Sequence, residues 1–218
     1  MIEAVVFDLD GVLIDTEQVW DEVREELVRE RGGRWHDRAQ RDMMGMSSHE
    51  WSRYMHDVLE VPDAPEQINA EVVRRMQQRY REHLPALPGA REAVERLATP
   101  WPLGLASSSN RELIDLALEL LGVAHLFHAT VSSEEVPRGK PAPDVYLEAA
   151  RRFDVQPEHC TAIEDSHNGI RSAKAAGMNV IAIPNPHFPP DEEALALADL
   201  VLASLDELVA EAVLAARG

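Results

Sequence analysis

Five short apolar runs, each leading into polar residues, constrain this chain more than any other feature. They are Ala4 to Phe7, Leu103 to Ala106, Ala129 to Val131, Thr161 to Ile163 and Asn179 to Ile183. Most are continuous rather than alternating, the pattern of strands covered on both faces. Helical patterns lie between them: Arg91 to Leu97, Glu112 to Leu121, Asp144 to Phe153 after Pro143, and Asn168 to Ala176 before Gly177. Ser109, with Glu112 three residues on, reads as the cap that opens the second of these, and Gly122 closes it. Strand alternating with helix is the grammar of a doubly wound α/β fold with a mainly parallel sheet. With 218 residues, 45% of them hydrophobic, the chain can bury such a core as one large domain or two modest ones.

One interval breaks the rhythm. From Glu17 to His83 no strand pattern appears, and apolar residues recur at helical spacing, as in Val19, Val23 and Leu27, or Trp51, Met55 and Leu59 after a Ser47-x-x-Glu50 capping box. This reads as a small helical domain, residues 17 to 83, inserted after the first strand of a core formed by residues 1 to 16 and 84 to 218. The segment LPALPG, residues 84 to 89, is the expected return hinge.

The net charge of −18, from 39 acidic and 21 basic residues, argues against a nucleic-acid or anionic-membrane partner. No apolar stretch approaches the roughly 20 residues of a membrane span, and the first residues carry no basic leader, so a cytoplasmic protein is expected. Cys160 is the one cysteine, which excludes an intrachain disulfide and a thiolate zinc site and suggests a small buried side chain. The nine histidines form no group at metal-ligand spacing.

In open α/β sheets ligands bind beyond the carboxyl ends of the strands. There this sequence places Asp8 and Asp10, then Ser107, then Lys140 after a loop, then Glu164 and Asp165. Residues i and i+2 on an extended chain point to the same side about 7 Å apart, and Gly11 lets the chain turn directly after the pair. Two carboxylates near one reacting centre can divide the work of nucleophile and proton carrier if they ionise differently. A cation keeps the first deprotonated, Glu164 and Asp165 offer hard oxygen ligands suited to Mg²⁺, and Lys140 neutralises charge on substrate and on Asp8. Each feature alone has a plainer explanation, as a turn, a helix cap or a solvated lysine. Their joint occurrence at successive strand ends in one chain order favours chemistry.

That order, carried by Asp8-x-Asp10-Gly-Val-x-x-Asp15, Ser107 after GLA, Lys140 in GKPAPDVY and Glu164-Asp165-Ser166 in AIEDSHNGI, resembles the haloacid dehalogenase (HAD) superfamily. It is most similar to the sugar-phosphate phosphatase and β-phosphoglucomutase branch, with a Rossmann-like core and a small helical cap after the first strand. The resemblance implies a Mg²⁺-dependent phosphatase for small phosphomonoesters, sugar or polyol phosphates. Asp8 would become an aspartyl phosphate, while Asp10 would protonate the leaving oxygen and then activate water. Ser107 and Lys140 would hold the phosphoryl group. Asp8, Asp10, Glu164 and Asp165 would form the metal site, with Asp15 and Ser166 in support. Gly11, Ser108, Glu17, Gly45 and Ser48 are expected at the substrate, the last two in the run Met43 to Glu50.

Among family members, an acid two residues after the nucleophile favours a phosphoester over a dehalogenase substrate, because an alkoxide leaving group needs a proton. The alternative is a mutase, against which stand Trp20 and Ser48, where β-phosphoglucomutases usually hold a histidine and an arginine. A catalytically silent binding protein is the more remote alternative. Met43, Met44 and Met55 read as core filler and Trp20 as packing, His167 as solvent-exposed, and Arg74, Arg75, Arg79 and Arg81 as mostly solvated, with a second anion contact as their functional alternative. The expected partner is a small phosphorylated metabolite, and the chain is expected to be a monomer, with a dimer as the alternative.

Overall fold

The computed structural model describes residues 1–43, 46–186 and 189–216. Six strands, β1 (Ala4–Phe7), β2 (Leu103–Ser107), β3 (Phe127–Ser132), β4 (Cys160–Glu164), β5 (Asn179–Ala182) and β6 (Leu200–Val201), form one sheet in the order β3-β2-β1-β4-β5-β6. Every pairing is parallel. The helices are α1 (Glu17–Glu30), α2 (Ala39–Met43), α3 (Ser48–Asp57), α4 (Pro65–Glu82), α5 (Ala90–Leu97), α6 (Arg111–Leu121), α7 (Asp144–Phe153), α8 (His167–Ala175), α9 (Glu192–Leu195) and α10 (Ala210–Ala215). None is long and apolar enough to cross a membrane among the described residues.

Continuous apolar strands follow from the two covered faces. In β1, Ala4 and Val6 join Ala106, Ala149 of α7 and Ile170 of α8 in one buried layer, while Val5 and Phe7 join Leu105, Val94 of α5 and Leu113 of α6 in the other. Alternate side chains of one strand therefore serve opposite layers. Cys160 is buried at the start of β4, where burial pushes its thiol up to about 12.

Two expectations need correction. The sequence shows five strands and not β6, a two-residue edge strand with Leu200 half-buried and Val201 exposed, because no apolar run there is long enough to mark a strand. Asn110, not Ser109, stands at the N-cap position of α6: it takes the extended conformation there, without a side-chain capping bond, and Ser109 turns its hydroxyl to Asp10.

Between β1 and α5 the described residues form helices α1 to α4 and no β-strand of the sheet. Trp20, Val23 and Leu27 of α1 pack with Trp51 and Met55 of α3 and with Val72 and Met76 of α4. The chain leaves and re-enters the sheet region side by side: Asp15 donates from its backbone N–H to the Pro85 carbonyl at 2.8 Å, and Leu87 to that of Leu13 at 3.0 Å. The chain passes from β1 to β2 to β3 and returns to place β4 beside β1. The topological switch point, where such sheets open a crevice, thus lies between the tips that carry Asp8 and Glu164.

Candidate active site

Asp8 directly follows β1 and is 6% exposed. Its Oδ1 accepts from the Lys140 ammonium at 2.6 Å, and the same ammonium donates to Glu164 Oε1 at 2.6 Å. Burial pushes the Asp8 carboxyl up to about 8; Lys140 opposes this, while Glu164 and Asp10 add to it. Burial works against the charge of Lys140, but Asp8 and Glu164 outweigh it and raise the lysine above its ordinary value.

Glu164, at the end of β4, is completely buried and its carboxylate is saturated from within. Oε1 accepts from Lys140 and from the Tyr146 hydroxyl at 2.6 Å, and Oε2 from the Asp165 amide at 3.2 Å and the Ser166 hydroxyl at 3.2 Å. Ser166 in turn accepts from the Gly169 amide, capping α8. A Cβ on Gly169 would lie 1.9 Å from both Glu164 carboxylate oxygens, which these bonds hold in place. Gly169→Ala should therefore cost about 1–3 kcal/mol in urea unfolding and lower activity by displacing Lys140.

Asp10 is engaged by three hydroxyls. Thr16 donates to its Oδ1, while Ser109 at 2.7 Å and Ser107 at 3.4 Å donate to its Oδ2. Asp8, Glu164 and Asp165 each bring an oxygen within 4.8 Å of the others'. Asp165 is buried, its Oδ1 has no hydrogen-bond partner, and burial, followed by the charges of Glu164 and Asp8, raises its carboxyl well above the ordinary value. Three crowded carboxylates, one lysine and an orphaned hard oxygen fit a small divalent cation such as Mg²⁺.

These groups open on a cavity of about 580 Å³ whose walls include Asp8, Asp10, Lys140 and Asp165 together with Ser108 and Ser109. Glu17 lines it as well; burial pushes its carboxyl up to about 7, with Asp10 adding to the shift and Arg24 opposing it. Trp20 and Met43 are buried, as packing residues should be, yet they also face this cavity. Met55 is buried and does not line the cavity, and Met44 and Gly45 lie outside the described residues. His167 lines the rim, about half exposed, with Nδ1 2.9 Å from Asp191.

Several expected substrate residues stand elsewhere. Ser48 is buried and donates to Glu134 at 3.0 Å, joining α3 to the turn after β3 instead of lining the cavity. Gly11 is also not in the lining: with φ +87° and a Cβ position 2.0 Å from Asp165 Oδ2, it is the only residue type that lets the turn pass beneath that carboxylate. Ser107 is fully buried behind Asp10, accepting from the Ser109 amide at 3.0 Å. Arg74 and Arg75 pair with Glu71, Arg79 pairs with Glu26, and Arg81 is exposed, so none lines the cavity.

Sequence reasoning missed Ser109, Tyr146 and Arg24. Ser109 repeats the i, i+2 spacing of the aspartates from Ser107, and Arg24 falls on the same face of α1 as Glu17 and Trp20, so both left a readable signal. Tyr146 left none, since an apolar ring on a buried helix face looks the same with or without a partner for its hydroxyl.

Residues 5–183 match the family model of the haloacid dehalogenase-like hydrolases. Hexitol phosphatase B of Escherichia coli K12 is 36% identical over 216 residues, covering 96% of each chain. A phosphorylated carbohydrates phosphatase of Thermotoga maritima is 34% identical over 83% of this chain and 84% of its own. The crystal structure of CbbY from Rhodobacter sphaeroides in complex with phosphate superposes with a TM-score of 0.84 at 27% identity, covering 95% of this chain and 96% of that one. The chain belongs to the haloacid dehalogenase-like hydrolases.

Proposed function

We propose that this protein is a Mg²⁺-dependent phosphatase of small phosphomonoesters, sugar or polyol phosphates, that works through an aspartyl phosphate on Asp8. The observation that carries this reading is Asp8 itself, buried at the switch point, bonded to Lys140, facing the cavity and followed two residues on by a second carboxylate. The relatives named above, phosphatases of hexitols and phosphorylated carbohydrates, support the substrate class.

In the first half-reaction an Asp8 oxygen attacks phosphorus, the ester P–O bond breaks, and Asp10 gives its proton to the leaving alkoxide. In the second, Asp10 takes a proton from water, whose oxygen attacks phosphorus and frees Asp8 and inorganic phosphate. The hydroxyls of Thr16 and Ser109 suit this exchange because a hydroxyl can donate to the carboxylate and accept from the acid. Lys140 fixes the orientation of Asp8 and offsets the charge that gathers on the transferring group. Glu164 acts as a positioning residue, holding Lys140 from behind. The Asp8 and Asp165 carboxylates and the Asp10 backbone carbonyl would hold Mg²⁺, with Glu164 behind them. Such an ion supplies charge that keeps Asp8 ionised and polarises the phosphoryl oxygens. The helical insertion, residues 17 to 83, serves as a cap that keeps water from the cavity while the acyl phosphate exists.

Phosphate release from sorbitol 6-phosphate, glucose 6-phosphate and glycerol 3-phosphate tests this reading. Activity should require Mg²⁺, vanish with EDTA and return on adding Mg²⁺. With β-glucose 1-phosphate, free phosphate should accumulate rather than glucose 6-phosphate; the reverse would make the protein a mutase. Mg²⁺ should also raise the melting temperature more at pH 8 than at pH 5, since the ion competes with a proton for the Asp8 carboxyl, at about 8, and that proton is lost to solvent more readily as pH rises.

A further inference from the structure

Arg24 is a cation held where few are found. It is 7% exposed, and its guanidinium carbon lies 4.5 Å from the centre of the Trp20 ring and 4.9 Å from that of Trp51. The two rings meet edge-on at 5.9 Å. Its Nε is buried without a hydrogen-bond partner, and the residue lines the cavity. Ring faces attract a guanidinium but accept none of its in-plane N–H bonds, so this arrangement leaves donors for an incoming acceptor.

The same helix face supplies the complement. Glu17, Trp20 and Arg24 stand at i, i+3 and i+7 on α1, and all three line the cavity. They offer a hydrogen-bond acceptor, an apolar plate and a donor in one row. A hydroxyl can donate to Glu17 and accept from Arg24, and the C–H face of a polyol can lie on an indole. A carboxylate or second phosphate would gain Arg24 but stand among Glu17, Asp21 and Asp10, whose charges already act on Arg24. Arg41 also lines the cavity but is exposed, where water screens its charge.

Building on the phosphatase reading, we propose that Arg24, seated between Trp20 and Trp51, forms with Glu17 a specificity subsite for the uncharged, hydroxylated end of the substrate. It selects against phosphoesters that carry a second anion at that end.

Sorbitol 6-phosphate and 6-phosphogluconate share one carbon chain and differ only in a terminal hydroxymethyl or carboxylate, and p-nitrophenyl phosphate lacks the polyol. The wild type should prefer sorbitol 6-phosphate to 6-phosphogluconate in kcat/KM. In Arg24→Met, which keeps an unbranched chain between the rings, the ratio of kcat/KM for sorbitol 6-phosphate to that for p-nitrophenyl phosphate should fall by about 10- to 100-fold, mainly through KM. Arg24→Lys should recover only part of the ratio, and Glu17→Gln should narrow the gap between the hexitol and the acid. A wild-type preference for 6-phosphogluconate would overturn the proposal, as would an equal loss on sorbitol 6-phosphate and p-nitrophenyl phosphate in Arg24→Met. A wild type active on p-nitrophenyl phosphate whose ratio does not move in the variants sinks this subsite alone. Inactivity of the wild type on every ester sinks the phosphatase reading, and the subsite with it.

Discussion

Asp8→Asn should lower phosphate release by on the order of 10⁴-fold or more while leaving the protein folded. An amide is nearly the size of the carboxylate but a far weaker nucleophile, so the loss should appear in kcat for every ester, large or small. Stability should respond in the opposite sense. Asp8 shares a buried cluster with Glu164 and Asp165, and the Lys140 ammonium keeps its bond to Glu164 in the variant. Asp8 binds a proton more tightly folded, at about 8, than at its ordinary 3.8. Its charge therefore costs nothing below pH 3.8, a growing amount between these values and the full amount above the upper one. The metal-free variant should melt at or above the wild type at pH 8 and gain less from added Mg²⁺. A variant that is inactive only because it is unfolded would instead show no cooperative melting transition.

Lys140→Met should be the most destabilising single change at the site. It strands buried carboxylates without a cation, a loss of about 3–5 kcal/mol where one partner of a buried pair is removed. For a chain of this size that lowers the melting temperature by about 6–20 °C near pH 8. The deficit should shrink toward pH 5, because Asp8 and Asp165, both raised by burial, take up protons there and leave less charge unpaired. Activity should fall with it, since the lysine orients Asp8. A deficit that stays constant from pH 5 to pH 8 would point to lost packing against the Tyr146 ring, 5.1 Å from the ammonium, rather than to charge.

The parts of this molecule legible in its sequence are those decided by local patterns. Strands β1, β2 and β4 are legible because they are buried along their whole length, β3 and β5 from their shorter apolar stretches, and helices α5 to α8 because their stripes and stops are local. The meeting of Asp8, Asp10, Lys140 and Asp165 at one cavity followed from strand-end logic, since a parallel sheet gathers its carboxyl ends on one edge. What could not be read depends on distant partners. Ser109 has the sequence signature of a helix cap, but its hydroxyl donates to Asp10, 99 residues away in the chain. Ser48 is expected at the substrate, but its hydroxyl donates to Glu134, far away in the chain, and it does not line the cavity. Arg24 carries no local sign of burial, which depends on two tryptophans, one of them on another helix, and on the acidic groups around it.

With Asp8 as the nucleophile, the phosphoryl group is transferred to its carboxylate before water removes it. Rapid acid quenching during turnover of a phosphoester, followed by borohydride reduction, converts an acyl phosphate to homoserine at the residue that carried it. The peptide spanning residues 5–17 should then contain homoserine at position 8, and Asp8→Asn should give none. Unmodified Asp8 under conditions where phosphate is released at the full rate would mean that water attacks the substrate directly, and would contradict this account of the site.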